Sequence, residues 1–163
     1  LMISALIIID QLTKGAIQQA FYYGETKTII DGFFSLAYVK NTGAAFGFGA
    51  DGHPLFRQVL FLALPVIFCG WIFYMLVKTL KGPMYMSLAY ALILAGATGN
   101  LIDRFTLGYV VDFLMFYWKN EANHFPAFNV ADSCITVAGF LLVIDFFVHL
   151  KKKKSNAPDP LPK

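Results

Sequence analysis

The sequence predicts an α-helical integral membrane protein with four transmembrane helices, whose outer loops form a small β platform and an interfacial loop or short helix. Of its 163 residues, 58% are hydrophobic and only 14% are charged, a balance typical of membrane proteins. Four apolar stretches each have about the 20 residues that cross roughly 30 Å of hydrocarbon. One membrane-embedded domain, residues 1–150, is expected to contain these stretches, which are residues 1–22, 55–77, 84–105 and 129–150.

The first apolar stretch is interrupted by Asp10 and Lys14. Because it opens on Leu1 rather than on methionine, we expect the native chain to begin further upstream. A cleaved signal peptide is the alternative, but it would have a small-residue cleavage site after the apolar run and its basic residues before that run. The sequence shows no such site, and Lys14 follows the run. We therefore expect a membrane helix.

The distribution of basic residues predicts the orientation of the chain. The connection 78–83 and the tail 151–163 together contain seven lysines, whereas the long loops 23–54 and 106–128 contain three. Cytoplasmic segments next to spans are enriched in Lys and Arg, so both termini should be cytoplasmic and the long loops should face outward. The basic tail is expected to be disordered and to lie at an anionic leaflet. We expect no nucleic-acid partner.

Each long loop has a pattern of its own. In loop 23–54, the stretch "FFSLAYVKN" mixes aromatic, β-branched and alternating polar residues as a strand does, and glycines and a proline follow it. A small β element on the bilayer surface is the prediction here. Loop 106–128 concentrates aromatic side chains, which favour the membrane interface, and should be an interfacial loop or short helix. Its aromatic residues include Phe113, Phe116, Tyr117 and Trp118.

The cysteines and histidines indicate neither a metal site nor a cofactor. Cys69 and Cys134 lie within apolar stretches and are expected to be packing residues. His53, His124 and His149 are scattered without ligand spacing. No nucleophile elbow and no phosphate-binding loop is present either, which excludes the common serine-hydrolase and nucleotide chemistries.

Asp112 and Asp132 are the residues least expected in apolar membrane segments. They lie in "GYVVDF" and "FNVADS", and a carboxylate at the centre of a membrane helix costs about 2.5–3.5 kcal/mol. Helix capping would explain Asp132 but not a second carboxylate in "VVDF", so we expect the pair to have a chemical role. The predicted orientation places further polar residues at the same outer level: Asp10, Lys14, Asn41, Asn100, Asp103, Arg104 and Asn129.

Simpler explanations stay open for several of these polar residues. Asp10 and Lys14, spaced i, i+4, are equally compatible with a helix-face ion pair. Asp103 and Arg104 are equally compatible with interfacial side chains that reach out to water. Asn41, in "KNTG", would also suit a turn.

Two carboxylates in a poorly solvated site suit peptide hydrolysis. Like charges close together cannot both ionise easily, so the pair shares a proton near neutral pH. The ionised member can take a proton from an attacking water, while the protonated member polarises the scissile carbonyl and later helps to protonate the leaving amine. Two other functions are alternatives. A small proton-coupled transporter also uses intramembrane carboxylates, but its polar residues would line a path across the membrane. A non-enzymatic scaffold would need neither carboxylate.

Five motifs in order resemble those of bacterial lipoprotein signal peptidase, also called signal peptidase II. They are "DQLTK" (10–14), "KNTGAAFG" (40–47), "GNLIDR" (99–104), "GYVVDF" (108–113) and "FNVADS" (128–133). The resemblance implies a four-helix aspartyl endopeptidase of the bacterial cytoplasmic (inner) membrane, with an extracytoplasmic β platform. That family removes signal peptides from prolipoproteins, cutting before a cysteine that carries diacylglycerol.

The resemblance also implies roles for individual residues. Asp112 and Asp132 match the catalytic aspartates of the family. Supporting or substrate-lining motif positions fall on Asp10, Lys14, Asn41, Gly43, Asn100, Asp103, Arg104, Asn129 and Ala131.

The partners that the resemblance implies are diacylglyceryl-modified prolipoproteins, membrane lipids and cyclic peptide inhibitors of the globomycin type. The active site should lie near the outer face of the membrane, with the two long loops as candidate clamps on the substrate. No cofactor is implied, and we expect a monomer.

Overall fold

A computed structural model describes residues 1–43, 53 and 59–155, and within these ranges the chain forms four long helices and a small antiparallel sheet. The helices are α1 (Met2–Ala20), α2 (Leu64–Thr79), α3 (Met84–Thr106) and α4 (Val130–Ser155), with a π-helical turn (Val59–Ala63) leading into α2. The strands are β1 (Thr26–Ile30), β2 (Phe34–Asn41), β3 (Val110–Trp118) and β4 (Asn120–His124).

Three segments in the described part of the chain are long and apolar enough to cross a membrane. They are Val59–Thr79, Met84–Thr106 and Val130–Val148, with mean hydropathies of 2.4, 1.4 and 1.9. Helix α1 forms where the sequence predicts it, but the polar residues of its second half lower its hydropathy, so its crossing of the membrane stays a prediction.

Parts of the sequence-based predictions fall outside the described residues. These parts are residues 44–52, 54 and 55–58, from the first outer loop and the start of the predicted second span, and residues 156–163 of the tail. Helix α4 extends to Ser155, into the predicted tail.

Helix α3 lies at the centre of the helical layer. Half of the residues in its apolar 18-residue stretch are buried inside the protein, against 17% for each of the other two candidate spans. It packs against α1, α2 and α4, and two of its glycines lie at close approaches to α4 and α1. A Cβ atom on Gly96 would overlap the carbonyl oxygen of Ala131, and one on Gly99 would lie 2.6 Å from Oδ2 of Asp10. The lack of side chains at these two positions therefore permits the close approach of α1, α3 and α4.

The sheet corrects the secondary structure expected for loop 106–128, which forms strands β3 and β4 and not an irregular loop or a short helix. Its location at the membrane interface stays a prediction. The strand order is β1-β2-β3-β4, and all neighbours are antiparallel. The β-branched and aromatic run of β3 pairs with β2, for example Asn41 with Val110 and Phe34 with Phe116. The crowded aromatic residues that suggested an interface also pack within the sheet, since Phe116 stacks on Phe128 at 5.8 Å.

The first half of β3 is buried within the sheet and against the helices. Val111 and Phe113 join Tyr38 of β2 and Ile17 of α1 in one buried apolar cluster. Because neighbouring residues of a strand point to opposite faces, this packing directs Asp112 away from the cluster. The strand thereby places a carboxylate on the side of the sheet that faces away from this cluster.

The close packing of α3 on α4 makes Gly96 sensitive to any added volume. In Gly96→Ala the new methyl group would meet the Ala131 carbonyl and lie 2.8 Å from Cγ1 of Ile135. We expect a loss of about 1–3 kcal/mol of stability, as for other overpacked sites, measured as a lower thermal midpoint in detergent micelles. Gly139→Ala is the matched control, because a Cβ there meets nothing within 4 Å. Equal midpoints for the two variants would contradict the packing argument.

Candidate active site

Asp112 lies in the buried part of β3 and receives two amide hydrogen bonds. Asn41 donates through Nδ2 to Oδ2 of Asp112 at 3.0 Å, and Asn129 donates through Nδ2 to Oδ1 at 2.7 Å. Burial is the main reason that the pKa of Asp112 rises to about 7, and the negative charge of Asp132 raises it further. The two amides act against this rise without cancelling it. Asp112 can therefore hold a proton near neutral pH.

Asp132 lies in the first turn of α4 and forms a reciprocal cap with Asn129. The backbone N–H of Asp132 donates to Oδ1 of Asn129 at 2.9 Å, and the backbone N–H of Asn129 donates to Oδ2 of Asp132 at 3.2 Å. Asn100 on α3 donates through Nδ2 to Oδ1 of Asp132 at 2.7 Å. Both carboxylate oxygens of Asp132 thus accept hydrogen bonds at the positive end of a helix.

Asn129 connects the two carboxylates. Its side chain donates to Asp112 while its backbone donates to Asp132, and its Nδ2 also lies 3.1 Å from Oδ1 of Asn100. It is fully buried, so its direction is set by these partners. The i, i+3 spacing of Asn129 and Asp132 that the sequence shows therefore places one amide between two acidic groups.

A buried cluster of charged side chains lies next to this pair of aspartates, towards the interior of the protein. Nζ of Lys14 is 2.8 Å from Oδ2 of Asp10, 3.0 Å from Oδ2 of Asp103 and 2.9 Å from Oδ1 of Asn100. Lys14, Asp10 and Asp103 are each 2% exposed or less. The Asp10–Lys14 ion pair expected from the spacing is present, but it is a buried pair and not one on a solvated face.

The position of Asp103 rules out the interfacial explanation that the sequence left open for it. Asp103 pairs with Lys14 in the interior. Arg104 makes separate contacts, donating to the carbonyl oxygens of Gly43 at 2.9 Å and Asn100 at 3.4 Å. Its guanidinium also lies 5.9 Å from the ring centroid of Phe61.

Asn41 fills both of the roles that its sequence context allowed. Its Oδ1 accepts the backbone N–H of Gly43 at 3.0 Å, as in an Asx turn, while its Nδ2 donates to Asp112. Gly43 is itself held by Arg104. The end of β2 is thus attached to both Asp112 and α3.

A cavity of about 860 Å³ lies beside the two aspartates. Its polar lining includes Asp112, Asp132 and Arg104, and most of the remaining lining is apolar. The apolar walls come from α2 with its leading turn, from α4 and from the segment before α4, and include Phe61, Pro65, Phe68, Phe125, Phe128, Ile135 and Val137. The arrangement can accept an extended or helical apolar chain next to a pair of carboxylates.

The structure brings together every site residue that the sequence predicts. Ala131 joins them through its backbone, since its N–H donates to Oδ1 of Asp10 at 2.9 Å. Sequence reasoning missed Gln11, whose Nε2 donates to Oδ1 of Asp103 at 2.8 Å. Its position beside Asp10 in "DQLTK" was the available signal. Within the described residues, no group of three or more His, Cys, Asp or Glu side chains could hold a metal ion, and Cys69 and Cys134 are free thiols.

Comparisons with known proteins agree on one family. A family model described as signal peptidase (SPase) II matches residues 2–148. A lipoprotein signal peptidase of Syntrophus aciditrophicus is 40% identical over 148 residues, covering 91% of each chain. One from Pseudomonas putida is 41% identical over 153 residues, covering 94% of this chain and 86% of its own.

Solved structures show the same fold. A bacterial membrane enzyme determined by the in meso method at 2.3 Å resolution has a TM-score of 0.78 and 31% identity, covering 99% of this chain and 92% of its own. A second, at 1.9 Å resolution, has a TM-score of 0.74 and 31% identity over 88% of each chain.

Ionisation of Asp112 should destabilise the folded protein. The pKa of Asp112 rises from 3.8 to about 7, so between these values the folded form binds more protons than the unfolded form. Stability therefore falls as pH rises through this window, by at most about 1.4 kcal/mol per pH unit. Thermal midpoints in detergent between pH 4 and 8 should fall more steeply for the parent than for Asp112→Asn. Parallel curves would show that Asp112 does not carry the raised pKa.

Proposed function

The chain belongs to the signal peptidase II family, and on that premise we propose that Asp112 and Asp132 are the catalytic pair with which it removes signal peptides from prolipoproteins. Family membership establishes the reaction class, an aspartic-type endopeptidase of a bacterial membrane. The assignment of the chemistry to these two residues is the proposal. The shared contact of Asn129 with both carboxylates supports it most directly, because two acids from a strand and a helix then meet in one cavity.

Asp112 is the protonated member of the pair in the proposed mechanism. Its pKa of about 7 suits a group that polarises the scissile carbonyl near neutral pH. Asp132 is the ionised member in this assignment: it lies at the positive end of α4, and the amide of Asn100 and the backbone N–H of Asn129 donate to it. Asp132 takes a proton from water as the water oxygen attacks the carbonyl carbon, and the pair of carboxyl groups then gives a proton to the leaving amine as the peptide bond breaks.

The other residues of the site supply position and charge. Asn41, Asn100 and Asn129 donate to the two carboxylates. Arg104 holds Gly43, at the end of β2 next to Asn41. Asp10, Lys14, Asp103 and the backbone of Ala131 form the buried support of the site.

The cavity suits the proposed substrate, a prolipoprotein whose cleavage site precedes a diacylglyceryl-modified cysteine. Its apolar walls offer a binding surface for a signal helix and for acyl chains. A cyclic peptide of the globomycin type would compete for the same walls.

The proposed topology has four spans, with α1 as the fourth, and both termini in the cytoplasm. It rests on the excess of lysine in the 78–83 connection and the tail. Under this topology the sheet and the aspartates lie near the outer face of the bacterial inner membrane. The polar residues meet at this single level and do not line a path across the membrane, and neither this arrangement nor the family membership supports a transporter.

Removal of either carboxylate should abolish cleavage. Asp112→Asn and Asp132→Asn should each lower kcat by roughly 10²–10⁴-fold or more, because each removes one partner of the proton transfer. The assay is cleavage of a purified diacylglyceryl-modified prolipoprotein in detergent, with the unmodified form compared in parallel. Asp31→Asn, an exposed aspartate in the turn between β1 and β2, is the matched control. A folded Asp112→Asn or Asp132→Asn protein with parental kcat would overturn the proposal.

The pH dependence of cleavage should report the shared proton. The free enzyme is active while Asp112 is protonated, so kcat/KM should fall above about pH 7, where Asp112 ionises. The decline should follow the loss of one proton and should be insensitive to chelators. A kcat/KM that still rises between pH 7 and 9 would contradict the assignment of the proton to Asp112.

A further inference from the structure

We propose that Gln11 and Lys14 are positioning residues for the reaction: they hold the backbone ahead of each aspartate and set the direction of the Asn100 amide. This inference rests on the proposed function of Asp112 and Asp132. The residues that carry it form the Lys14 cluster, which consists of Asp10, Gln11, Lys14 and Asp103.

Each of the two carboxylates of the Lys14 cluster accepts a backbone hydrogen bond from the residue that precedes Asp112 or Asp132. Oδ1 of Asp10 accepts the N–H of Ala131 at 2.9 Å, and Ala131 precedes Asp132. Oδ2 of Asp103 accepts the N–H of Val111 at 3.1 Å, and Val111 precedes Asp112. Because Lys14 holds Asp10 at 2.8 Å and Asp103 at 3.0 Å, one ammonium group positions both backbones.

Lys14 also decides which way the Asn100 amide faces. A lysine ammonium only donates hydrogen bonds, so its 2.9 Å contact must be to the oxygen of Asn100. The Nδ2 group of Asn129 donates to the same oxygen. The NH₂ group of Asn100 is thereby directed at Asp132, to which it donates at 2.7 Å. Without Lys14 the amide could turn and present its oxygen to Asp132, which would favour the protonated acid.

Gln11 completes the support of Asp103. Its Nε2 donates to Oδ1 of Asp103 at 2.8 Å and lies 3.2 Å from both the carbonyl oxygen of Gly99 and Oδ2 of Asp10. Gln11 thus attaches α1 to α3 at the level of the cluster. With Oδ1 occupied by Gln11, the other oxygen of Asp103 serves both Lys14 and the N–H of Val111.

The positive charge of Lys14 also affects the pair of aspartates, Asp112 and Asp132. The cluster contains two carboxylates and one ammonium, and the positive charge of Lys14 lowers the pKa of Asp112, against the larger effect of burial. The charged groups that interact with Lys14 are Asp10 on α1, Asp103 on α3, Asp112 on β3 and Asp132 on α4. Arg104 on α3 interacts with Asp103, Asp112 and Asp132.

Gln11→Met tests the positioning role with the least disturbance, because it keeps the length of the side chain and removes the amide. We expect kcat to fall about tenfold, the order expected for a lost hydrogen bond to a charged group, with KM and the thermal midpoint near those of the parent. Gln18→Met is the matched control. Gln18 lies two turns further along α1, and its hydrogen bond to the hydroxyl of Tyr38 is long, at 3.5 Å. It should keep the parental kcat.

Three results from this pair would overturn the inference. They are an unchanged kcat in Gln11→Met, an equal loss in Gln18→Met, and a Gln11→Met protein that fails to fold, since the amide would then serve the fold rather than the reaction.

Lys14→Met provides a readout that a purely structural role would not move. Loss of the positive charge should shift the alkaline limb of kcat/KM to higher pH by about one unit, in addition to lowering kcat. A folded Lys14→Met protein with an unshifted pH profile would overturn the role of Lys14. If Lys14→Met does not fold, the kcat of Gln11→Met decides whether the inference stands.

Failure of this inference is distinguishable from failure of the proposed function. Asp112→Asn and Asp132→Asn test the catalytic pair directly, with the same substrate. Inactive aspartate variants together with a fully active Gln11→Met would leave the pair in place and remove only the positioning role.

Discussion

A carboxylate buried away from water must find donors inside the protein, and this constraint determines the arrangement of the buried polar residues around the two aspartates. Leaving one unpaired costs several kcal/mol. Asp10, Asp103, Asp112 and Asp132 all receive hydrogen bonds or ion pairs from neighbouring elements. The donors come from α1, α3, β2, β3 and the start of α4, so the charges hold these elements in one arrangement.

The donors also explain why two aspartates so near in sequence differ in environment. Asp112 lies on a buried strand, where its neighbours are two amides and a second acid. Asp132 lies at the beginning of a long helix, where backbone N–H groups and the helix dipole stabilise negative charge. A difference of this kind is what divides two carboxylates into an acid and a base. Asn129 links them, and its position immediately before α4 makes it part of both environments.

The small sheet positions polar residues at one end of the membrane helices, and its central strands are paired with each other. Strands β2 and β3 satisfy each other's hydrogen bonds, which matters because an unpaired peptide group is costly next to hydrocarbon. Close packing of α3 against α4 at Gly96 and against α1 at Gly99 draws the helices together beneath the sheet. The cavity remains on the side of α2, where apolar walls meet the carboxylates.

The sequence by itself determined the membrane class, most helix positions and the residues of the candidate site, because apolar length and isolated charges are local signals. Its motifs also indicated the family. Only the tertiary structure decided that loop 106–128 pairs as β3 and β4, since strand pairing depends on a partner, β2, that is distant in sequence. It likewise decided that Asp103 pairs with Lys14 instead of reaching water, and that Gln11 belongs to the same cluster. Residue spacing along one helix shows which side chains share a face, but not which other helix that face meets.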